Sequence, residues 1–247
     1  MNFVDLLRPS CALFLDFDGT LVDLAPQPED VVVASDLLET LAALSSSLGG
    51  ALALISGRPI GQIDEFLRPL RLPVAGVHGA ERRSASGEVT LLATHPLQHV
   101  EEVAARLAAR HPALRVEEKR GSLALHYRQA PALEALCVQA MQDAVERSPG
   151  LALLHGKMVV EAKPGGASKG QAIEAFLAEA PFAGRRPVFV GDDLTDEVGF
   201  ATVQRLGGIG VKVGEGASVA AQRLDSPAVF LEHLRSAAAA MTRKVSA

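Results

Sequence analysis

Two closely spaced aspartates stand where an apolar segment ends. Asp16 and Asp18 close the apolar run 12–17 and are followed by a glycine. Two carboxylates this close repel each other unless a cation lies beside them. Mg²⁺ is the natural candidate, because it favours oxygen ligands and is usually held by one or two carboxylates with water and phosphate. An ordinary aspartate–glycine turn is the alternative interpretation.

A second acidic segment follows another apolar run. Residues 191–197 read Gly-Asp-Asp-Leu-Thr-Asp-Glu, directly after the run 187–190. Acidic residues at a helix N-terminus are favoured by the helix dipole, which would account for Asp196 and Glu197. The helix dipole explains Asp192 and Asp193 less well. The segment therefore indicates metal ligands, with helix-end charge as the alternative.

Two further segments carry groups suited to phosphate. Ser56-Gly57-Arg58 combines a hydroxyl, a glycine that allows close approach and the amides of a helix start, which together can bind an anion. Lys169 opens a helix after a glycine-rich stretch and supplies a point charge. Taken alone, the first is more often a simple turn and the second a solvated lysine.

These residues lie on a regular alternation of strands and helices. Such alternation predicts an α/β fold, with a Rossmann-like parallel sheet, helices on both faces and functional loops at the carboxyl ends of the strands. The predicted strands are 12–17, 51–55, 73–77, 187–190, 208–213 and 228–230, and the predicted helices are 35–47, 60–67, 169–180, 197–205 and 232–241.

The middle of the chain has a different pattern. Helix–strand–strand occurs twice in succession, with helices at 97–110 and 132–146 and strands at 114–118, 122–128, 151–154 and 158–162. Two helices backing an antiparallel sheet form a compact α+β unit. We therefore expect a cap, residues 93–160, inserted into a core made of residues 1–92 and 161–247.

Composition narrows the class of protein. The 247 residues carry a net charge of -5 and contain no block of basic residues, which argues against a nucleic-acid surface. The first ten residues do not resemble a signal peptide, and no apolar run approaches the roughly 20 residues that cross a bilayer. We expect a cytoplasmic protein in which Cys11 and Cys137 are buried thiols rather than a disulfide.

The four motifs together resemble those of the haloacid dehalogenase superfamily of phosphohydrolases, in order and over the whole chain. Each also falls at a strand end or helix start that periodicity predicts. More narrowly, the chain resembles the family of trehalose-6-phosphate phosphatases. The stretches that point to this family are His78-Gly79-Ala80-Glu81, residues 157–164 and residues 191–197.

The resemblance implies a mechanism. Asp16 would attack phosphorus and form an aspartyl-phosphate, while Asp18 would protonate the leaving sugar oxygen and later deprotonate water. Mg²⁺ would be held by the Asp16 carboxylate, the Asp18 carbonyl and Asp192. Ser56 and Lys169 would bind the transferring phosphoryl oxygens.

The resemblance also assigns roles around this centre. Asp193 and Asp196 would lie behind the ligands and orient Lys169 or the waters of the metal. Arg58 is expected to bind substrate, and His78 either touches substrate or supports its own turn.

Sugar binding is expected in the cap. Glu117, Lys119 and Glu161 match the sugar-binding positions of the family, and carboxylates and ammonium groups suit hydroxyls. Three neighbours are weaker candidates, namely Arg120, His126 and Arg128.

The partner implied is a small sugar phosphate, bound by a monomer without nucleic acid or membrane. The expected reaction is hydrolysis of trehalose 6-phosphate to trehalose and phosphate. Sucrose phosphate or a glycosylglycerate phosphate is the rival substrate. A phosphomutase, which keeps the phosphoryl group, and a binding module that has lost catalysis are the rival functions.

Overall fold

A computed structural model describes residues 3–25, 27, 30–91, 95–119 and 121–245. Contacts divide the chain into two units. The first comprises Met1–Thr90, Ser168–Asp192 and Asp196–Ala247, and the second comprises Leu91–Ala167 and Asp193–Thr195. The second unit begins close to the expected residue 93 and extends past residue 160, because the strand there continues to Pro164.

The elements are numbered in chain order. The strands are β1 (Cys11–Leu15), β2 (Leu52–Ile55), β3 (Val74–Gly76), β4 (Glu81–Arg83), β5 (Val89–Leu91), β6 (Arg115–Lys119), β7 (Ser122–His126), β8 (Leu151–Gly156), β9 (Val159–Pro164), β10 (Arg186–Gly191), β11 (Ile209–Val213) and β12 (Gln222–Leu224). The helices are α1 (Phe3–Leu6), α2 (Leu37–Ser47), α3 (Ile60–Phe66), α4 (Gln98–Arg110), α5 (Glu134–Glu146), α6 (Lys169–Leu177), α7 (Glu197–Arg205) and α8 (Pro227–Val245). Short 3-10 turns occupy Val77–Gly79, Pro131–Leu133 and Leu194–Asp196.

One sheet organises the first unit. Its strand order is β12-β11-β10-β1-β2-β3-β4-β5, with parallel pairing from β12 to β3 and antiparallel pairing of β4 to β3. Strands β1 and β2 are wholly apolar and buried at every position, as expected for strands covered on both faces. The rings of Phe14, Phe176 and Phe182 pack with centroids 5.1–6.1 Å apart. The predicted α/β fold, with a parallel sheet and helices on both faces, is confirmed.

The order of strands reverses between β1 and β10. From β1 the chain proceeds through β2 and β3 on one side, and it returns through β10, β11 and β12 on the other. Ligands in open α/β sheets bind outside the carboxyl ends of the strands at such a reversal. Residues that follow β1 and β10 therefore lie at the place where a site is expected.

The second unit is an antiparallel sheet with two helices. The strand order is β6-β7-β9-β8, and each neighbouring pair is antiparallel. Apolar side chains of α4, α5 and one face of the sheet form a single buried cluster, which includes Val100, Cys137, Met141, Leu123 and Val160. The order of elements is the helix–strand–strand repeat that the sequence predicts.

Some predicted elements differ from the observed ones. The strand predicted at 228–230 is wrong, because α8 covers these residues and buries Phe230, Leu234 and Met241 at helical spacing. A run of three apolar residues fits a strand and a helix turn equally well. Strands β4 and β5 were not predicted, since β4 reads Glu-Arg-Arg and has no apolar pattern.

The cysteine prediction is confirmed, because Cys11 and Cys137 are both buried and neither is in a disulfide. Among the described residues, no helix is long and apolar enough to cross a membrane.

Candidate active site

The turn after β1 places Asp16 beside the end of β10. The Asp16 amide donates to the Val190 carbonyl at 2.9 Å, and the side chain is almost fully buried. Gly19 follows with a φ of 78°, and a Cβ added there would lie 2.2 Å from a carboxylate oxygen of Asp192. Glycine is therefore required at this position, because only glycine permits both the backbone angle and the close approach. The Thr20 hydroxyl lies 3.3 Å from Asp16 Oδ2 and 3.4 Å from Asp192 Oδ1.

Three carboxylates meet at the reversal point. Asp16, Asp192 and Asp196 each offer one oxygen, and these oxygens lie within 4.8 Å of one another. Burial raises the pKa of Asp16 well above its ordinary value, and Asp196 and Asp192 raise it further, whereas Lys169 opposes the shift. The excess of negative charge in a buried space and the all-oxygen donor set are suited to a hard divalent cation such as Mg²⁺.

Lys169 binds two of these carboxylates. Its Nζ donates to Asp16 Oδ1 and to Asp196 Oδ1, both at 2.6 Å. Burial alone would lower the pKa of Lys169, but the two carboxylates outweigh it and hold the pKa above its ordinary value. The ammonium is thus a fixed positive charge. It stands at the start of α6, where Ser168 caps the helix by accepting from the Gln171 amide.

Asp196 is fully buried and links Lys169 to the second acidic segment. While Oδ1 accepts from Lys169, Oδ2 accepts from the Asp192 amide at 3.0 Å. Asp196 therefore contacts Lys169, as the resemblance implied, and it also offers an oxygen to the acidic triad. Asp193 makes a local contact in which Oδ1 accepts from the Leu194 amide at 2.7 Å.

Two residues of this centre were not found from the sequence. One is Thr20, described above. The other is Lys212, a buried lysine at the end of β11, whose ammonium donates to the Asp192 carbonyl. A lysine inside the apolar run 209–213 was the available signal, because a buried charge needs a specific partner.

Arg58 forms an ion pair with Asp18. The guanidinium donates from Nε to Asp18 Oδ2 and from Nη2 to Oδ1, both at 2.7 Å. It also donates to Gln62 and lies 5.0 Å from the ring centroid of Phe66 and 5.9 Å from that of Phe17. Both oxygens of Asp18 are thus engaged, and the planar arginine is held by stacking as well as by hydrogen bonds.

The loop of Ser56 is fixed by the turn of His78. The Ser56 hydroxyl is buried and accepts from the Arg58 amide at 3.0 Å. The His78 amide donates to the Ser56 carbonyl at 2.9 Å, and the ring of His78 lies against Gly57, where an added Cβ would approach it to 2.8 Å. Both the backbone and the ring of His78 therefore lie against the Ser56–Gly57 segment.

The supporting turn has unusual backbone geometry. Val77, His78 and Gly79 have φ values of 49°, 55° and 103° in succession. Positive φ is a genuine outlier for a β-branched residue such as valine, and such strain often accompanies functional sites. Glu81 secures the next segment by accepting from the Ile60 amide at the start of α3, at 2.5 Å.

Comparison with known proteins decides the family. The trehalose-phosphatase family model matches residues 14–227. The chain belongs to the trehalose-phosphatase family. It is 48% identical over 226 residues to trehalose-6-phosphate phosphatase of Escherichia coli (strain K12), which covers 88% of this chain and 83% of that protein. It is 45% identical over 205 residues to a probable trehalose-phosphate phosphatase of Sinorhizobium fredii, covering 82% of this chain and 77% of that protein.

Solved structures agree on the fold of this trehalose-phosphatase family member. The C-terminal domain of Candida albicans trehalose-6-phosphate phosphatase superimposes with a TM-score of 0.84 at 24% identity, over 93% of this chain and 92% of that one. The predicted family and the predicted phosphatase activity are thereby confirmed by the family match and the two sequence relatives.

The sugar-binding candidates lie on the sheet of the second unit. Glu117 pairs with Ala124 and Ala124 pairs with Glu161, so the two carboxylates share one row across β6, β7 and β9. His126 Nε2 lies 2.8 Å from Glu117 Oε2. Lys119 pairs with Ser122 in the backbone register, and Arg128 is exposed after β7. Arg120 and the side chain of Lys119 lie outside the described part of the chain.

Proposed function

We propose that the protein hydrolyses trehalose 6-phosphate to trehalose and phosphate through a phosphorylated Asp16, with Mg²⁺ as cofactor. The observation that carries the proposal is the buried ion pair of Asp16 and Lys169, shared with Asp196, at the strand-order reversal. The match to the trehalose-phosphatase family supplies the substrate.

Asp16 is the nucleophile in this proposal. One of its oxygens forms a bond to phosphorus as the bond from phosphorus to the sugar oxygen breaks. Lys169 opposes the rise in the pKa of Asp16 that burial causes, and it fixes the orientation of the carboxylate through a 2.6 Å contact. A water then attacks phosphorus in the aspartyl-phosphate, which releases phosphate and restores Asp16.

Asp18 transfers the protons. It gives a proton to the leaving sugar oxygen and takes one from the attacking water. Because Arg58 engages both of its oxygens, Asp18 must release at least one of these contacts before it can reach the substrate. Arg58 then has donors available for substrate, which is the role that the resemblance implied.

The phosphoryl group is held by charge and by hydrogen bonds. Ser56 and Lys169 bind its oxygens, in a loop and at a helix start that the His78 turn and Asp196 keep in place. The Asp16 and Asp192 carboxylates and the Asp18 carbonyl would hold Mg²⁺, which would supply positive charge against the phosphate. Asp193 and Asp196 keep the surrounding groups oriented.

Sugar recognition is assigned to the second unit, which serves as the cap in the proposal. Glu117, Lys119 and Glu161 bind hydroxyls, because each side chain can make several directional hydrogen bonds. His126 orients Glu117 through their 2.8 Å contact. A cap over the substrate would also exclude bulk water from the first step.

The test is release of phosphate by the purified protein. We expect turnover of trehalose 6-phosphate with Mg²⁺ and none after chelation with EDTA, while sucrose 6-phosphate and glucose 6-phosphate react far more slowly. Equal rates on all three esters would refute the assigned substrate. Sugar-phosphate isomerisation without free phosphate would indicate a mutase. Sedimentation of the same sample tests the proposed monomer.

A further inference from the structure

Lys212 is a buried charge in the parallel sheet of the first unit. It lies near the end of β11 between Val211 and Val213, and it is only 6% exposed. Apolar residues usually occupy such positions, because parallel strands are covered on both faces. An ammonium that is withdrawn from water costs free energy unless a specific partner receives it. The structure supplies that partner, since the ammonium donates to the main-chain carbonyl of Asp192.

This contact fixes the first residue beyond the paired part of β10. The register of β10 with β11 ends at the pair of Gly191 and Lys212, and Asp192 follows immediately. The Asp192 carbonyl therefore lies where the ladder of main-chain hydrogen bonds between the two strands ends, and a side chain of the neighbouring strand binds it there. A hydrogen bond from an ammonium is stronger than one between two neutral main-chain groups.

Both the main chain and the side chain of Asp192 are held by other residues. The amide donates to Asp196 Oδ2 at 3.0 Å, and the carbonyl accepts from Lys212. The carboxylate lies against Gly19, where an added Cβ would approach Oδ2 to 2.2 Å, and its Oδ1 lies 3.4 Å from the Thr20 hydroxyl. Of these partners, Lys212 alone belongs to neither of the two acidic turns, so it anchors Asp192 to the sheet itself.

An anchor is needed at Asp192 because like charges meet there. Asp16, Asp192 and Asp196 each offer an oxygen to one small space, and carboxylates this close repel one another. In the protein without a bound cation, this repulsion favours movement of Asp192 away from Asp16. Lys212 opposes the movement through the main chain of Asp192, so it leaves the carboxylate itself available to a cation.

We propose that Lys212 is a positioning residue of the metal site, which holds Asp192 in the orientation that binds Mg²⁺. This inference rests on the proposed function, because it takes Mg²⁺ as the ion that the carboxylates bind. Groups that orient a metal ligand commonly change metal affinity about ten- to hundred-fold. An ammonium that acted through its charge alone would have the opposite effect, since a nearby cation repels the ion and its removal would tighten binding.

The test compares variants of Lys212 with the wild-type protein. Lys212→Met removes the ammonium and keeps much of the side-chain volume, whereas Lys212→Arg keeps a charged donor. Lys157→Met is the matched control, since Lys157 is an exposed lysine in the turn between β8 and β9. The measurements are the Kd of Mg²⁺ by titration calorimetry without substrate, Tm without metal, and hydrogen exchange of the amides of residues 191–197 without metal.

We expect Lys212→Met to raise the Kd of Mg²⁺ about ten-fold or more. The amides of residues 191–197 should exchange faster in this variant than in the wild type, because Asp192 has lost its anchor to the sheet. Tm should fall by about 2–12 °C, because the Asp192 carbonyl loses a charged partner. Lys212→Arg should recover most of the affinity for Mg²⁺, and the control should stay within about two-fold of the wild-type Kd.

Other outcomes overturn the inference. A Kd of Mg²⁺ that Lys212→Met lowers, or leaves within about two-fold of the wild-type value, would do so even if Tm falls, because the role would then be structural alone. If Lys212→Met does not fold, Lys212→Gln decides, since its neutral side chain is shorter: a rise in Kd of about three-fold or more supports the inference and a smaller one overturns it. A wild-type protein that binds no Mg²⁺ refutes the proposed cofactor and the inference together, whereas normal binding by the wild type with an unchanged Kd in the variant refutes the inference alone.

Discussion

Asp196→Asn is the substitution whose consequences the structure defines most sharply. The two carboxylate oxygens accept from different donors, Lys169 Nζ at 2.6 Å and the Asp192 amide at 3.0 Å. An asparagine amide has one acceptor oxygen and one NH₂ donor. In either orientation of the asparagine side chain, its NH₂ group faces one of these two donors, so one of the two hydrogen bonds is lost. Lys169 also loses one of its two negatively charged partners.

The expected loss of folding stability follows from the complete burial of Asp196. Removing one partner of a buried ion pair costs about 3–5 kcal/mol. Asp16 still partners Lys169, and relief of repulsion between the carboxylates offsets part of the loss, so we expect about 2–3 kcal/mol. In a chain of this length each kcal/mol shifts Tm by about 2–4 °C, which gives a decrease of about 4–12 °C.

The assay combines calorimetry with phosphate release. We expect Asp196→Asn to lower Tm by that amount and to lower kcat on trehalose 6-phosphate about a hundred-fold, because Lys169 keeps its contact with Asp16 but loses the second contact that fixes its position. Mg²⁺ should also raise Tm less in the variant than in the wild type, since the triad loses a negative charge. Asp143→Asn, at an exposed aspartate of α5 away from the site, is the control and should have a much smaller effect. A variant with unchanged Tm and kcat would refute the reasoning from the two contacts.

Three further predictions concern other groups. Arg58→Lys loses the two parallel hydrogen bonds to Asp18, so kcat/KM for trehalose 6-phosphate should fall about ten- to hundred-fold. The control is Arg71→Met, because Arg71 is exposed, and equal activity of the two variants would contradict the proposed positioning of Asp18. Tyr127 is the single tyrosine of a chain without tryptophan, and burial, together with its hydrogen bond to Glu134, raises its pKa to about 12. Absorbance at 295 nm should show titration near that pH, and a midpoint near 10, the ordinary value, would show that the second unit does not shield the ring. The hydrogen bond from Arg83 lowers the pKa of Asp64. The pair therefore stabilises the fold fully above the unfolded-state pKa of about 4, and this stabilisation is lost as pH falls through the lowered pKa. Asp64→Asn should lower Tm relative to the wild type at pH 7 and lower it less in more acidic buffer, and a Tm difference independent of pH would argue against the charged pair.

The positions of the main site residues followed from the sequence because they depend on local pattern. Asp16 and Asp192 each come directly after an apolar strand, and parallel strands end at one edge of the sheet. The helix start at Lys169 followed in the same way from the glycine-rich stretch before it. Hydrophobic periodicity and turn-forming residues are short-range features, so they can be recognised in the sequence when the tertiary structure is not known.

The contacts made by these residues could not be predicted in the same way. The pairing of Arg58 with Asp18 joins residues forty positions apart, and the bonds of Asp196 depend on the 3-10 turn that precedes α7. Strand β4 was missed because Arg83 is buried through its partner Asp64 and not through apolar character. Such features depend on tertiary pairing, which overrides the local preference of each segment.

The most direct test of the account is chemical trapping of phosphate on Asp16. The protein is mixed with trehalose 6-phosphate and Mg²⁺, quenched in acid within one turnover and reduced with borohydride, which converts an aspartyl-phosphate to homoserine. Mass spectrometry of the peptide spanning residues 11–20 should show homoserine at position 16, and Asp16→Asn should show neither this product nor turnover. Phosphate release at the wild-type rate from Asp16→Asn would contradict the central claim.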